Sequence, residues 1–92
     1  MIKTFRSKDT ETLFNRERCA RFKNIENVAR RKLIMLNNAQ SLQDLRVPPG
    51  NHLEELSGDR QGQHRIWIND QWRLCFVSRK HDAYDVEIVD YH

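Results

Sequence analysis

His64-Arg65-Ile66-Trp67-Ile68-Asn69-Asp70-Gln71-Trp72-Arg73-Leu74-Cys75-Phe76-Val77 is the stretch that decides the fold of this 92-residue chain. Its period is two. Ile66 and Ile68 fall on one side of residues 64–69, Arg65 and Trp67 on the other. Beyond the tight-turn tripeptide Asn69-Asp70-Gln71, residues 72–77 set Trp72, Leu74 and Phe76 against Arg73. Such alternation marks strands with one buried face, and a short polar turn between two of them marks an antiparallel hairpin.

Downstream, the polar loop 78–82 leads to a last strand over residues 84–91, in which Tyr84, Val86 and Ile88 alternate with Asp85 and Glu87. Upstream, residues 52–56 make a further short strand, followed by the turn-rich Ser57-Gly58-Asp59-Arg60-Gln61-Gly62. Before these, Val47-Pro48-Pro49-Gly50-Asn51 ends helical structure, because proline lacks an amide donor and disfavours helix in the residue before it. On its N-terminal side the period changes to that of a helix. Ile25, Val28, Ala29, Leu33 and Leu36 form one stripe over residues 24–37, with Met35 at its edge. Residues 8–14 suit a short helix with Ser7 as N-cap, residues 41–45 suit another helical turn, and residues 1–5 read as an edge or inner strand. Helices first and an antiparallel meander afterwards predict an α+β fold, with helices on one face of a twisted sheet and the other face open to a ligand.

At this length a single domain spanning residues 1–92 is expected. Hydrophobic residues make up 38% of the chain and charged residues 32%, polar for a globular protein but grouped enough to exclude disorder. The net charge of +3 mildly favours an anionic partner. The N-terminus carries no signal-peptide pattern and no run is long enough to span a membrane. Cys19 and Cys75 are far apart and match no metal or disulfide framework, so a reducing cytoplasm is the expected location and Cys75 the expected small core residue. His52, His64 and His81 form no metal-ligand pattern with cysteine or carboxylate. P-loop, dinucleotide and nucleophile-elbow motifs are absent. No cofactor is expected.

Three groups of residues carry candidate chemistry. Asp90-Tyr91-His92 sets an acid, a phenol and an imidazole at the end of the last strand. Cleavage of RNA without a metal needs the ribose 2′-hydroxyl deprotonated, charge at phosphorus stabilised and the leaving 5′-oxygen protonated, and histidine suits those proton transfers. On spacing alone, such a tripeptide is more commonly a loose polar terminus. Arg73, on the open face, suits a phosphate or developing phosphorane; it equally suits solvent or an ion pair with Glu87. Arg65 and Trp67 share that face, where the indole either stacks on a base, covers the sheet or meets a protein. A basic cluster in the helical half (Arg16, Arg18, Arg21, Lys23, Arg30, Arg31, Lys32) is either a solvated helix face or a phosphate-contacting surface suited to ribosomal RNA.

The motifs Pro48-Pro49-Gly50-Asn51, Leu56-Ser57-Gly58-Asp59-Arg60, Ile66-Trp67-Ile68-Asn69-Asp70-Gln71-Trp72-Arg73 and Asp90-Tyr91-His92, in that order, resemble the HigB or killer-protein branch of the RelE/ParE toxin superfamily, the GraT-type members in particular. The resemblance covers essentially the whole chain. It implies a RelE-like fold and a ribosome-dependent endoribonuclease that cuts translated mRNA in the A site of the 70S ribosome without a metal, leaving a 5′-hydroxyl. It also implies a HigA-type helix-turn-helix antitoxin, through which alone the toxin meets operator DNA. Carried onto matching positions, His92 transfers the proton, Asp90 supports it, Tyr91 contacts the substrate and Arg73 stabilises the phosphate; Arg65, Trp67, Arg60 and His52 are the expected RNA contacts. One departure stands out. Some relatives carry histidine and lysine where this chain has Glu54 and Ser57, which removes an acid/base candidate and a positive charge; strand alternation would turn His52 to the same side as Glu54. The rival within the superfamily is a toxin acting by protein binding, as ParE-like gyrase inhibitors do.

Overall fold

In a computed structural model, residues 1–60 and 62–91 are described, Arg60 by its backbone only. Helix α1 (Lys8–Phe14) begins where expected, because Ser7 Oγ accepts from the Thr10 amide at 3.3 Å, with Asp9 and Glu11 in the positive first turn. The second helical segment differs from expectation. A 3-10 stretch, Ala20–Ile25, is kinked at Phe22 and runs into α2 (Glu26–Asn38). The kink turns Phe22 fully into the core, where it meets Trp72 edge to face at 5.5 Å. The helical stripe holds: Ile25, Ala29, Leu33 and Leu36 are buried, while Val28 and Met35 pack at its margin. Two short 3-10 turns, Leu42–Arg46 and Pro49–Asn51, then carry the chain to the sheet.

Four antiparallel strands follow in the order β1 (Glu54–Glu55), β2 (Gln63–Trp67), β3 (Trp72–Arg79), β4 (Asp82–Asp90). Ile66, Leu74 and Ile88 lie abreast across β2, β3 and β4. With Phe76 and Val86 they close a single core against Leu13, Phe22, Ala29, Leu33, Leu36 and Leu45. Truncating one such residue, Leu33 for example, to alanine would cost on the order of 2–5 kcal/mol. No helix among the described residues is long and apolar enough to cross a membrane.

Several local expectations give way. Residues 52–56 contribute only a two-residue strand, because His52 takes a left-handed conformation (φ 48°) as it closes the Pro49–Asn51 turn. Strand β2 stops at Trp67, and the polar loop between β3 and β4 shrinks to Lys80-His81, both at positive φ as a type I′ turn requires. Asp85, at φ 53°, makes a bulge in β4 opposite Cys75–Val77. The extra residue shifts side-chain parity by one. Tyr84 therefore stands opposite Val77, away from the core, while Ala83 and Val86 both point into it. Cys75 is buried, but beside Arg65 and Glu87 on the sheet's other face rather than in the core.

Residues 1–6 form no separate hairpin. They run parallel to β4 and bond to it: Lys3 N to Ala83 O at 2.8 Å, Ala83 N to Met1 O at 2.9 Å, Val86 N to Thr4 O at 3.1 Å and Arg6 N to Val86 O at 3.0 Å. Thr10 Oγ1, fully buried, takes the next free amide, Ile88 N, at 3.0 Å. Another buried polar residue ties helix to loop. Asn51 donates to Leu45 O at 3.0 Å and to Met35 Sδ at 3.2 Å, and accepts from Lys32 Nζ at 2.5 Å. Burial, and then the neighbouring Arg31, lower the pKa of that lysine.

Candidate functional site

The sheet face opposite the helices gathers the residues that the alternation had set apart from the core. Cross-strand partners share a face. Glu54 stands opposite Arg65, Arg65 opposite Cys75, and Cys75 opposite Glu87; one step along, Trp67 stands opposite Arg73 and Arg73 opposite Val89. Tyr91, just past β4, reaches back over this face. Its ring lies 4.8 Å from the Arg65 guanidinium carbon and 5.4 Å from that of Arg73.

Arg73 is 8% exposed and stacked, with its guanidinium carbon 3.8 Å from the centre of the Trp67 ring. Its Nη1 donates to Asn69 O at 2.6 Å. That carbonyl is in position because Asn69 folds the 68–71 turn on itself, its Oδ1 accepting from the Gln71 and Trp72 amides at 2.8 Å each. The ion pair with Glu87 does not form among the described residues; Glu87 instead lies 3.9 Å from Arg6. Trp67 also packs against His52, ring centres 4.3 Å apart. His52 thus joins the site through its left-handed backbone and its contact with Trp67, not by strand alternation beside Glu54.

Arg65 donates through Nη2 to Glu54 Oε2 at 2.8 Å. Burial weighs against its charge, and the Tyr91 phenol and Glu54 carboxylate together outweigh that, holding the guanidinium above its ordinary range. Three buried donors on this face, Arg65 Nε, Arg73 Nε and Trp67 Nε1, have no hydrogen-bond partner among the described residues. Buried N–H groups without acceptors cost about 1–3 kcal/mol each, and more when charged. A cluster of them is a place for a ligand rich in acceptors. A fourth unpartnered atom, His64 Nδ1, belongs elsewhere: His64 stands opposite Phe76 and stacks on it at 6.0 Å.

The end of the chain is clamped to the same turn. Tyr91 N donates to Gln71 O at 2.6 Å, and Gln71 Nε2 donates to both Asp90 oxygens at 3.1 and 3.2 Å. His92 and the Arg60 side chain, both expected at the site, lie outside the described residues. Ser57 is exposed on the loop after β1. The basic cluster is partly committed to the fold: Arg21 to Asp9 at 3.7 Å, Arg30 to Glu26 at 3.1 Å, and Lys32 to Asn51. Arg18 and Lys23 line an open groove with Cys19, Ala20 and Glu26. No group of three His, Cys, Asp or Glu side chains among the described residues is arranged to hold a metal ion.

Strand parity brought Arg65, Trp67 and Arg73 together in the sequence; Tyr91 entered through the terminal tripeptide and the family resemblance. Sequence reasoning missed Gln71 and the Asn69 carbonyl, which hold Tyr91 and Arg73. Asn69 at the head of a turn was the available signal for the second; a glutamine in a turn carries none for the first.

Comparison with known proteins bears on the family and the fold. A family model described as a RelE-like toxin of the type II toxin–antitoxin system HigB matches residues 3–92. Toxin HigB-1 of Vibrio cholerae is 50% identical over 52 residues, 56% of this chain and 55% of that one. An uncharacterized protein of Haemophilus influenzae is 40% identical over 53 residues, 58% of this chain and 52% of that one. These matches span about half the length of each curated relative. The crystal structure of YafQ from E. coli strain BL21(DE3) superposes with a TM-score of 0.63 over 98% of this chain and 91% of its own, at 13% identity, which is a likeness of fold.

Proposed function

The chain belongs to the HigB family of RelE-like toxins from type II toxin–antitoxin systems, and from that premise we propose that it is a ribosome-dependent endoribonuclease, cutting translated mRNA in the A site by acid/base chemistry without a metal. The observation that carries this reading is the cluster of unpartnered N–H donors on Arg65, Arg73 and Trp67, next to the clamped chain end. A phosphodiester offers only acceptors, and its charge grows toward the pentacoordinate transition state. Donors fixed in advance by stacking and by the 68–71 turn favour that state over the ground state. In this reading Arg73 and Arg65 hold the phosphate, Trp67 and His52 wall the site, and Tyr91 contacts the substrate. Arg60 reaches RNA from the loop after β1. His92, supported by Asp90, protonates the leaving 5′-oxygen.

The partners follow from the same reading. The 70S ribosome presents the mRNA, with the basic helical half as the surface for ribosomal RNA phosphates. A HigA-type helix-turn-helix antitoxin neutralises the toxin and links it to operator DNA. The place of action is then the cytoplasm. Mapping transcript 5′ ends after brief expression tests the proposal. Cuts within translated frames are expected, and His92→Ala should slow them by about 10²–10⁴-fold while leaving the fold and antitoxin binding unchanged. Intact transcripts accompanied by supercoiling or replication defects would overturn it in favour of a gyrase-directed toxin.

A further inference from the structure

Val86 and Ile88 face the core, and a strand that kept its alternation would carry Tyr84 in with them and turn Ala83 out. The bulge at Asp85 reverses both. Ala83 is 3% exposed in the core, and Tyr84 stands opposite Val77 on the open face. Asp85 takes φ 53° to achieve this, a conformation that strains a residue with a side chain, and its amide donates to Thr4 Oγ1 at 2.8 Å. Bulges re-aim side chains, and strain retained in a fold points to a position with a use. The side chain re-aimed here is Tyr84. The Arg79 guanidinium carbon lies 5.5 Å from the centre of its ring, a looser contact than the 3.8 Å at which Arg73 stacks on Trp67. Arg79 is exposed, and Asp82, opposite it, is drawn to the Met1 amine at 3.3 Å instead.

Ring and cation continue the candidate site. Arg73, Cys75, Val77 and Arg79 share one face of β3, so Val77 and the ring opposite it lie about 7 Å beyond Cys75 and about 13 Å beyond Arg73. Arg65 stands opposite Cys75 and Gln63 opposite Val77, which makes the face continuous between the two clusters. Glu87, the carboxylate between them, is drawn to Arg6 at 3.9 Å. The nucleotide beside a phosphate held at Arg65 and Arg73 falls within this reach, and it offers a flat base and a further negative phosphate. An aromatic ring with a mobile cation beside it suits both. We propose, resting on the nuclease reading above, that Tyr84 and Arg79 form a subsite for a nucleotide of the mRNA flanking the cut. The base displaces the guanidinium from the ring and stacks on Tyr84, and Arg79 takes the flanking phosphate. Stacking is tolerant of base identity, so the subsite adds affinity and fixes the register of the strand across Arg73 rather than selecting a sequence.

Single-turnover cleavage on programmed ribosomes is measured against toxin concentration, with mRNAs that carry one abasic ribonucleotide at each position flanking the cut in turn. With the unaltered protein, one such position is expected to raise the half-saturating concentration about 10-fold or more. Tyr84→Leu keeps apolar bulk and removes the stacking surface. It is expected to raise that concentration to a similar extent on intact mRNA and to show no further loss at the same abasic position. Tyr84→Phe, which keeps the ring, is expected to retain the abasic penalty, and Arg79→Gln to flatten the salt dependence of half-saturation. Equal abasic penalties at every position for the unaltered protein and Tyr84→Leu overturn the proposal. So does weaker co-sedimentation of Tyr84→Leu with ribosomes that carry no mRNA, which would assign the ring to ribosomal RNA. Weaker binding of Tyr84→Leu to a co-expressed HigA-type antitoxin, with cleavage unchanged, overturns it in favour of a protein contact. If Tyr84→Leu does not fold, Arg79→Gln decides: an unchanged salt dependence overturns the proposal. Failure of the unaltered protein to cleave any mRNA would instead refute the nuclease reading on which it rests.

Discussion

With its guanidinium flat on Trp67 and one nitrogen bonded to the Asn69 carbonyl, Arg73 has lost most of its rotamer freedom before a substrate arrives. A flexible arginine gives up about 1.5–2 kcal/mol when it is ordered. Here the fold meets that cost, so the ligand does not. Asn51 does comparable work for the loop that leads to β1. It is fully buried, and its side chain bridges Leu45, Met35 and Lys32. Asn51→Ala would strand the Leu45 carbonyl and the Lys32 ammonium, costing about 2–3 kcal/mol. Urea unfolding should show a lowered midpoint at unchanged slope; a midpoint shift worth less than about 0.5 kcal/mol would mean water replaces the amide at no loss. Nothing in Pro-Pro-Gly-Asn spells out this burial, because asparagine after glycine reads as a turn residue. His52 reaches the open face by a route that alternation does not describe: the left-handed backbone that ends the turn brings its ring onto Trp67.

Strands β2 to β4 were legible because one of their faces is buried, and burial writes itself into the sequence as a period of two. The bulge at Asp85 was not. Aspartate tolerates the left-handed conformation without the glycine that would have advertised it. The parity of β4 slipped by one there, and Tyr84 was assigned to the wrong face. The 3-10 stretch Ala20–Ile25 was equally silent, since its buried positions, Phe22 and Ile25, are too few to show a period. The Lys80-His81 turn offers a direct test at this scale. Both residues hold positive φ, which costs a side-chain-bearing residue roughly 1–2 kcal/mol. Replacing them with Asn-Gly should raise stability by about 1 kcal/mol and lift the melting temperature. An unchanged or lower melting temperature would contradict the turn assignment.

At the scale of the whole molecule, the order of elements announced the layers: helices, then a meander, then a face left free. The closure of the far edge was invisible, because pairing between residues separated by 81 positions leaves no local pattern. That closure matters. Residues 1–6 satisfy amides and carbonyls on β4 that would otherwise form an open edge, the usual template for intermolecular strand pairing. Deleting residues 1–6 should leave a protein that self-associates in size-exclusion chromatography and melts earlier; a monomer with the original melting temperature would show that the segment is dispensable. The candidate site, by contrast, was legible as a set of residues but not as a set of contacts, since parity assigns faces and says nothing of stacking or clamps.

The same closure also keeps time. Residues 1–6 are synthesised long before residues 82–90, so the earlier segment must wait for its partner strand. Until then β4 is missing, and with it Asp90 and Tyr91, the clamp on Gln71 and the ring that spans the two arginines. A polypeptide interrupted partway through translation therefore has neither a finished sheet nor a finished site. On the nuclease reading proposed above, this order of assembly defers the activity until the last strand is made.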